Sequence, residues 1–455
     1  MPFIPFTTKI QEGEIILEEH PLIYSSNRIR NFFLYTKGGI RIIKARFHQE
    51  KPLLGSEQAI IQQIHTARFS QNNPYVITGG HFSPLFVRNL GIFYNALLDP
   101  RLPGTDHDWL LRQQIALKTV AFDLRIFTLT GKDFTTIYPV KKNIFTCYNV
   151  YTRPSDSLFA ILYTLRALTD DTFIQTLFPS KITKRKLQTT KAGKKLIEKY
   201  KKVLRQLIKN YYMKIIDPKT GLIKKDILLA SARDGIKRQS SFYDNVIAWG
   251  TILLAKQLDL YEITSKELAA WRKRIIQTFW NEQEGIFLDD LSTFSQQETL
   301  FSADSFVVLS TGFFSTENKS DRYYLQRMIE YVKKNKLDKP IPLHYSLMDL
   351  PKNLYGHVRR MAPSYMGTSI WSHWGMEYIK ALLYVSRGND SFFADAKRHM
   401  AAYKKNIEQY GGYPEVYDKT GKLLNHQFYR SVLHNGWVIN YEQTKMLYQH
   451  LTSAV

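Results

Sequence analysis

Apolar residues recur at helical intervals along most of the chain, from about residue 56 onward. Residues three and four positions apart share one face of an α-helix, so this spacing predicts amphipathic helices rather than strands. The predicted helices lie near residues 56–70, 86–98, 108–129, 155–169, 190–214, 242–259, 264–280, 302–312, 321–335, 369–387, 391–409 and 432–450. Taken in pairs they predict six helical hairpins, and a closed ring of hairpins would bury an inner layer of helices against an outer one.

The first fifty residues follow another pattern. Short β-like runs, such as residues 14–17 and 39–43, are separated by glycine and proline. Because glycine and proline interrupt regular elements, we expect a small irregular or β-containing N-terminal segment over residues 1–54. The helical ring would then occupy residues 55–455 as one all-α domain.

A weak internal repeat supports an array of hairpins. Three segments, 217–223, 281–287 and 418–424, each contain a polar turn, then a glycine, then apolar residues. The first two are far enough apart in sequence for two helices with their connections, as a repeating hairpin requires. Loops of this kind at one end of a ring would surround a common pocket.

Composition places the chain among large globular proteins. Of its 455 residues, 44% are hydrophobic and 14% are aromatic, which is enough to bury a large core. The single cysteine, Cys147, cannot form an intramolecular disulfide or, by itself, a thiolate zinc cluster. The sequence shows neither a signal-peptide pattern nor the roughly 18 consecutive apolar residues of a membrane helix. We therefore expect a soluble, cytoplasmic protein.

The sequence lacks the motifs of cofactor-dependent chemistry. It contains no glycine-rich nucleotide-binding loop and no Gly-x-Ser-x-Gly nucleophile turn. His81, His373 and His434 are scattered, without the close spacing that zinc ligands show. We expect no cofactor and no metal, and any chemistry would then be done by side-chain acids.

The net charge of +23 is unevenly distributed. Much of the excess lies between residues 181 and 214, where Glu198 is the one acidic residue and apolar residues keep a helical spacing. This pattern is typical of an amphipathic helix with a solvated basic face, and the alternative is a patch that binds polyanions. No RNA-binding strand, zinc finger or basic zipper accompanies it, so the sequence does not favour nucleic acid as a partner.

Glu415 occupies an unusual setting for a carboxylate. It lies in the segment 411–421, which is built from glycines, a proline and aromatic residues. Glycine and proline end the preceding helix, while Tyr413 and Tyr417 could flank the carboxylate with flat surfaces of the kind that hold sugar rings. Glu415 is therefore a candidate catalytic base. The alternative is that the residues from Asp418 onward simply form a tight turn.

A second carboxylate, Asp244, opens a predicted helix. A carboxylate at this position is normally ionised and stabilised by free backbone amides, so capping is the alternative to catalysis. An acid catalyst would need burial, for instance against Tyr243 and Trp249, to raise its pKa. Asp244 and Glu415 together supply the two carboxyl groups that glycosidic hydrolysis requires: one protonates the leaving oxygen and the other activates water.

These segments resemble the six-hairpin glycosidases of the (α/α)6 toroid type, namely the glucoamylase-like, trehalase-like and processing-glucosidase-like families. The likeness covers most of the chain from about residue 75. In those families an aromatic residue followed by a carboxylate at a helix start carries the general acid, and Tyr243-Asp244 is similar to that element. A glutamate in the last loop between hairpins acts as base, and Glu415 with the later Trp437 resembles that closing segment.

The resemblance also implies substrate contacts. Residues 86–91 are similar to a Trp-x-Arg-Asp loop whose Arg-Asp pair binds hydroxyls of the terminal sugar. Arg88 matches the arginine, whereas Asn89 stands where the aspartate would be; an amide can still donate to and accept from hydroxyls. Arg153 lies in a stretch that resembles the Arg-Pro segment lining the pocket, with a surface or capping role as the alternative. Trp371 could be an aromatic platform or a core residue.

The sequence therefore predicts an all-α (α/α)6 toroid and an inverting glycoside hydrolase for an α-glycosidic bond of a neutral sugar. Asp244 would be the acid, Glu415 the base and a carbohydrate the partner. The expected substrate contacts are Arg88, Asn89, Arg153, Tyr243, Trp371, Tyr413 and Trp437, and weaker pocket candidates are Asp289, Asp290 and Asp304. Two alternatives are a lyase of acidic polysaccharides, with a Tyr or His base, and a non-catalytic basic helical protein.

Overall fold

In the computed structural model, helices alternate along the chain between two layers. The structure describes residues 5–25, 29, 32, 33, 36, 40, 44, 50–70, 73, 75–80, 84–141, 144–149, 153–177, 185–233, 235–298, 300–349, 353–386, 391–426 and 428–453. The helices of the outer layer are Glu57–Arg68, Asp106–Thr130, Thr190–Ile215, Ser265–Phe279, Lys319–Lys334 and Ser391–Tyr410. With one exception they bury one face and expose the other, as their apolar spacing predicts.

The inner layer is buried over most of its length, as expected for helices that face other helices on several sides. Its members are the segment 87–98 and the helices Ser157–Thr169, Phe242–Gln257, Val307–Ser310, Ser372–Ser386 and Val438–Ser453. Consecutive members contact one another. Asn440 closes the ring, because its Nδ2 donates a hydrogen bond to the carbonyl oxygen of Phe93 at 2.7 Å.

Two predicted inner helices are less regular than their apolar spacing indicated. The segment predicted as a helix over 86–98 begins with the 3-10 turn Val87–Asn89 and continues as a series of tight turns. Gly91 lies so close to the neighbouring inner helix that a Cβ there would meet the Cα of Ala160 at 2.4 Å. The segment near 302–312 consists of the 3-10 helix Ala303–Phe306 and one short α-helix. Apolar spacing records which side chains are buried and does not distinguish a helix from successive turns.

The remaining described elements are short. Short helices span Phe173–Leu177, Thr293–Gln297 and Gly356–Met361. Two-residue strands pair Arg153–Pro154 with Leu229–Ala230, Trp280–Asn281 with Ile286–Phe287, and Ile370–Trp371 with Val416–Tyr417. No helix among the described residues is both long enough and apolar enough to cross a membrane.

The helix Asp106–Thr130 is the exception in the outer layer, because N-terminal strands cover its outward face. An antiparallel hairpin joins Phe6–Gln11 to Glu14–Glu19. A four-stranded sheet has the spatial order Ile23–Tyr24, Ile144–Tyr148, Thr136–Lys141 and Leu85–Phe86. The β-like run predicted at 14–17 thus lies within a strand, whereas residues 39 and 41–43 of the second run lie outside the described residues. The predicted domain boundary at residue 54 stays a prediction.

The predicted internal repeat forms three similar turns. In each, a glycine with φ between 68° and 82° donates its backbone N–H to the carbonyl oxygen of the residue that opens the turn. Gly221 bonds to Asp217 at 2.7 Å, and Gly285 bonds to Asn281 at 2.8 Å. Each turn follows the carboxyl end of an outer helix and precedes an inner one. These loops therefore lie at the end of the ring where the inner helices begin.

The basic helix predicted near 190–214 is the outer helix Thr190–Ile215. Its apolar residues face the core and most of its lysines face solvent. Part of its charge is paired with surface acids, because Lys199 contacts Glu19 and Lys201 lies 3.5 Å from Asp259. Residues 181–184 of the predicted basic window lie outside the described residues.

Replacement of Asp123 by asparagine is expected to stabilise the fold at neutral and alkaline pH. Asp123 is fully buried in the helix Asp106–Thr130, and its carboxyl oxygens have no hydrogen-bond partner among the described residues. Burial raises the pKa of Asp123 well above its ordinary value. The unfolded chain loses this proton near pH 4 while the folded chain keeps it, so stability falls as pH rises above about 4, by up to about 1.4 kcal/mol per pH unit.

Urea unfolding at pH 4.5 and pH 8 measures this difference. Asp123→Asn should gain about 2 kcal/mol over the native chain at pH 8 and much less at pH 4.5. The exposed Asp226, changed to asparagine, is the matched control and should alter neither value. Equal effects of Asp123→Asn at the two pH values would show that ionisation of Asp123 does not limit stability.

Candidate active site

The amino ends of the inner helices meet at one end of the ring, and candidate site residues cluster there. The residues at or just before these helix starts are Arg88, Asp156, Asp244, Asp304 and Trp371. Glu415 lies in the loop before the last inner helix, and its carbonyl oxygen accepts the N–H of Ser372, which opens another inner helix. The amino end of a helix carries partial positive charge from its free N–H groups. This partial charge stabilises carboxylates at these positions. Because the helix starts meet at one end of the ring, residues that are distant in sequence also become neighbours there.

Asp244 is held at the third position of the helix Phe242–Gln257. Ser241, rather than Asp244, caps this helix: its Oγ accepts the Asp244 N–H at 3.0 Å and donates to Asp244 Oδ2 at 2.6 Å. Asp244 is 4% exposed. Burial raises its pKa above the ordinary value, against the opposing effects of Arg238 and of the Ser241 and Ser155 hydroxyls. This environment favours the protonated form that a general acid needs.

A buried cluster of arginines and aspartates lies beside Asp244. Arg238 Nη1 lies 2.7 Å from Asp304 Oδ2 and 3.1 Å from Asp289 Oδ1. Arg233 Nη1 lies 2.8 Å from Asp289 Oδ2. Tyr345 completes the cluster, since its hydroxyl donates to Asp304 Oδ2 at 3.2 Å. Buried charges are tolerated when they are paired in this way, so the cluster forms a rigid, electrically balanced wall.

Arg88 and Tyr243 meet at Asp156. Arg88 Nε lies 3.6 Å from Asp156 Oδ1, and the Tyr243 hydroxyl donates to Asp156 Oδ2 at 3.2 Å. Asn89 points elsewhere, because its Nδ2 donates to Thr78 Oγ1 at 2.9 Å. The loop that carries Arg88 is thereby fixed to the start of the helix that carries Asp244.

Glu415 lies between two tyrosine hydroxyls. Tyr365 donates to Glu415 Oε1 at 2.7 Å, and Tyr429 donates to Oε2 at 2.5 Å. Glu415 is 2% exposed. Burial raises the pKa of its carboxyl group to about 7, although both hydroxyls favour the ionised form. A carboxylate with these properties is a stronger base than an exposed glutamate and is still able to ionise near neutral pH.

The backbone around Glu415 is fixed from both sides. Its N–H donates to the carbonyl oxygen of Val432 at 2.9 Å, and its carbonyl oxygen accepts the Ser372 N–H at 3.1 Å. Glu50, from the N-terminal segment, accepts the backbone N–H groups of Leu433 at 2.6 Å and His434 at 3.2 Å. The negative charge of Glu50 also contributes to the raised pKa of Glu415. Glu50 thus fixes the loop at residues 432–434, and Glu415 is hydrogen-bonded to the same loop through Val432.

Aromatic rings connect the two candidate acids. Next to Asp244, the Tyr243 ring contacts Trp374, with ring centres 6.3 Å apart. Trp374 contacts Tyr345 at 6.3 Å, and Tyr345 contacts Trp371 at 5.4 Å. Trp371 in turn contacts Tyr365, the partner of Glu415, at 4.8 Å. Asp244 and Glu415 therefore belong to one continuous group of packed side chains at one end of the ring.

Most of the predicted site residues belong to this group, and three, namely Asn89, Tyr413 and Arg153, lie apart from it. Trp437 stacks on Trp371 with centres 6.0 Å apart. Tyr413 is fully buried and packs against Tyr403, with ring centres 6.2 Å apart. Arg153 lies on a two-residue strand, and its positive charge there opposes the rise in the pKa of Asp133 that burial causes. The roles predicted for Tyr413 and Arg153 as substrate contacts stay predictions.

The sequence did not indicate several residues that complete the site. Arg238 stands six positions before Asp244, and an arginine so close to a candidate acid was a usable signal. Tyr365, Tyr429 and Glu50 carried no such signal. Tyr365 and Glu50 come from segments distant in sequence from Glu415, and Tyr429 follows Glu415 by 14 residues, so only the folded chain brings these groups to it.

Solved structures with the same architecture include three glycosidases. A glucoamylase from Saccharomycopsis fibuligera shares 11% identity over 89% of this chain and 98% of its own, with a TM-score of 0.56. The neutral trehalase of Saccharomyces cerevisiae shares 14% identity over 84% of this chain and 76% of its own, with a TM-score of 0.52. A rhamnosidase from Klebsiella oxytoca, solved with rhamnose bound, shares 11% identity over 86% of this chain, with a TM-score of 0.51.

The chain spans 64% of the length of that rhamnosidase. All three are (α/α)6 toroid glycosidases, and at these identities the similarity is one of fold. The predicted all-α (α/α)6 toroid is confirmed. No family model and no curated protein matches the sequence.

Proposed function

We propose that this chain is an inverting glycoside hydrolase that cleaves an α-glycosidic bond of a neutral sugar. The observation that carries the proposal is the pair of buried carboxyl groups, Asp244 and Glu415, each with a raised pKa, at the same end of the toroid. Paired carboxyl groups with distinct environments are what acid and base catalysis of glycosidic hydrolysis requires.

The different partners of the two groups support the assignment of their roles. Glu415 accepts hydrogen bonds from two tyrosine hydroxyls, which stabilise a carboxylate that can take a proton from water. Asp244 has a neutral hydroxyl as its closest partner, while the nearby Arg238 is already paired with Asp304. Asp244 would therefore hold the proton and donate it to the leaving oxygen.

The charge balance of the site supports a neutral substrate. The three buried arginines around the candidate acids are each paired with an aspartate: Arg88 with Asp156, Arg233 with Asp289, and Arg238 with Asp304. A lyase of acidic polysaccharides would need an unpaired cation to neutralise the substrate carboxylate. The names of the neighbours with this fold, a glucoamylase, a trehalase and a rhamnosidase, agree with a neutral glycoside.

A panel of α- and β-glycosides, followed by NMR that resolves the anomers, tests the proposal. We expect release of a neutral sugar from an α-glycoside, with the β-anomer as the first product. Inversion needs carboxyl groups about 6.5 to 9.5 Å apart with room for a water molecule, whereas retention needs about 5 to 5.5 Å. An α-anomer as first product would contradict inversion, and unsaturated uronic-acid products would support the lyase.

The value of kcat/KM is expected to rise with pH up to an apparent pKa of about 7, because Glu415 must be ionised to act as a base. Below that pKa the rate should fall about tenfold per pH unit. Two variants should move this rising part of the pH–rate profile, its acidic limb, in opposite directions. Glu50→Gln removes a charge that raises the pKa of Glu415, so the limb moves to lower pH; Tyr429→Phe removes a hydroxyl that lowers it, so the limb moves to higher pH.

Initial rates from pH 5 to 9 with the native chain and both variants measure these shifts. The surface variant Glu330→Gln is the control and should leave the limb in place. A limb that stays fixed in both Glu50→Gln and Tyr429→Phe would show that Glu415 is not the group being titrated.

A further inference from the structure

A cavity lined by residues outside the candidate active site lies between the helices Glu57–Arg68 and Asp106–Thr130. Its volume is about 300 Å³, and its lining includes His65, Ser70 and Arg112. None of these residues contacts Asp244 or Glu415 in the described part of the chain. The cavity is large enough for a small molecule and plays no part in the proposed hydrolysis.

Arg112 presents an unusual arrangement in this cavity. Its side chain is buried, with 1% of the residue exposed. Nη1 lies 3.5 Å from the carbonyl oxygen of Pro103, whereas Nε and Nη2 have no hydrogen-bond partner among the described residues. The Trp109 ring lies beneath the guanidinium, 5.7 Å from its central carbon. One complete edge of this buried guanidinium therefore has no acceptor in the part of the chain that the structure describes.

The nearby carboxylates are already engaged elsewhere. Asp108 Oδ2 accepts the Thr105 N–H at 2.7 Å as part of a helix cap. Asp99 is bonded to Arg101 through both oxygens, at 2.8 and 2.7 Å. Glu442 faces His65 at 3.0 Å. None of these acids forms an ion pair with Arg112 in the described part of the chain.

The chemistry of arginine identifies the ligand class. The Nε and Nη2 groups form one planar edge that binds two oxygens of a carboxylate or phosphate at once. A buried cation without such a partner destabilises the fold, because no ion pair or hydrogen bond replaces the water that the charge has lost. Arginine keeps its charge in proteins, so neutralisation by loss of the proton does not relieve this cost.

We propose that this cavity is a binding site for a small oxyanion, held by the Nε–Nη2 edge of Arg112. The ligand would be a small molecule with a phosphate, sulfate or carboxylate group that fits a cavity of about 300 Å³. The proposal is independent of the glycosidase assignment, since it rests on residues that the proposed reaction does not use.

Isothermal titration and thermal unfolding with inorganic phosphate, sulfate and acetate, at constant ionic strength, test the site. We expect at least one anion to raise the Tm of the native chain and to bind at a single site. Binding of phosphate or sulfate would indicate a phosphorylated or sulfated ligand, whereas binding of acetate would indicate a carboxylate ligand. Arg112→Lys keeps the charge but loses the two-donor edge, so its Kd should be at least tenfold weaker. Arg112→Met should abolish the anion-induced shift.

Arg112→Met also provides a test that does not depend on the ligand. Removal of an unpaired buried charge should leave the Tm of the anion-free chain unchanged or higher. The exposed Lys202→Gln is the control for general charge effects, and it should keep the native response to anions. The proposal is overturned if no anion shifts the native chain, or if Arg112→Lys and Arg112→Met respond as the native chain does.

Discussion

Replacement of Glu415 by glutamine is expected to lower kcat by about 10²- to 10⁴-fold while leaving the fold intact. An amide cannot take a proton from the attacking water, so the loss falls on the chemical step. The amide oxygen can still accept a hydrogen bond from Tyr365 or Tyr429, and the shape of the side chain is unchanged. KM should therefore change little. Steady-state kinetics, with circular dichroism and thermal unfolding, measure the effect.

The matched control for Glu415→Gln is Glu330→Gln, which changes a partly exposed glutamate on an outer helix. This variant should keep native kinetics. Activity close to native in Glu415→Gln would remove Glu415 from the mechanism. A loss of activity accompanied by a large fall in Tm would indicate a structural role, because Glu415 is bonded to two loops at once.

Replacement of Asp244 by asparagine is expected to produce a loss of activity that depends on the leaving group. A general acid is needed when the departing oxygen is strongly basic, as in an alkyl glycoside or a disaccharide. It is much less important for a glycosyl fluoride or a nitrophenyl glycoside, whose leaving groups depart without a proton. Asp244→Asn should therefore lose about 10²- to 10⁴-fold on a disaccharide and far less on an activated glycoside.

Asp304 offers the sharpest comparison for Asp244. Both residues are buried at the starts of inner helices, but Asp304 is ion-paired with Arg238 at 2.7 Å, whereas the closest partner of Asp244 is a serine hydroxyl. Asp304→Asn should weaken the arginine cluster and affect all substrates to a similar degree. If Asp304→Asn, and not Asp244→Asn, gave the leaving-group dependence, the acid would have to be reassigned to Asp304.

The architecture explains how two distant acids can cooperate. Each inner helix begins at the same end of the ring, so six loops that are separate in sequence share one small region. Low solvent exposure in that region raises the pKa of both candidate acids, while their different partners distinguish them. The fixed arginine pairs around them resist rearrangement when a substrate binds.

Local sequence was sufficient to predict the helical ring and the positions of its connecting turns. Apolar spacing is a property of each segment on its own, and the glycine in each repeated turn adopts a positive φ that other residues rarely accept. Asp244 and Glu415 were recognisable as candidates for the same reason, because the residues that made them conspicuous are their immediate neighbours in sequence. Spacing failed over 86–98, where buried turns carry the same apolar pattern as a helix.

Only the tertiary structure decided which groups surround those acids. Tyr413 and Tyr417, each two positions from Glu415 in sequence, are packed into the core, and the hydroxyls that contact Glu415 come from Tyr365 and Tyr429. The charge of Glu50 reaches the same loop from the far end of the chain. Partners and pKa shifts of this kind depend on distances of a few ångströms between remote segments, and no local pattern of residues encodes those distances.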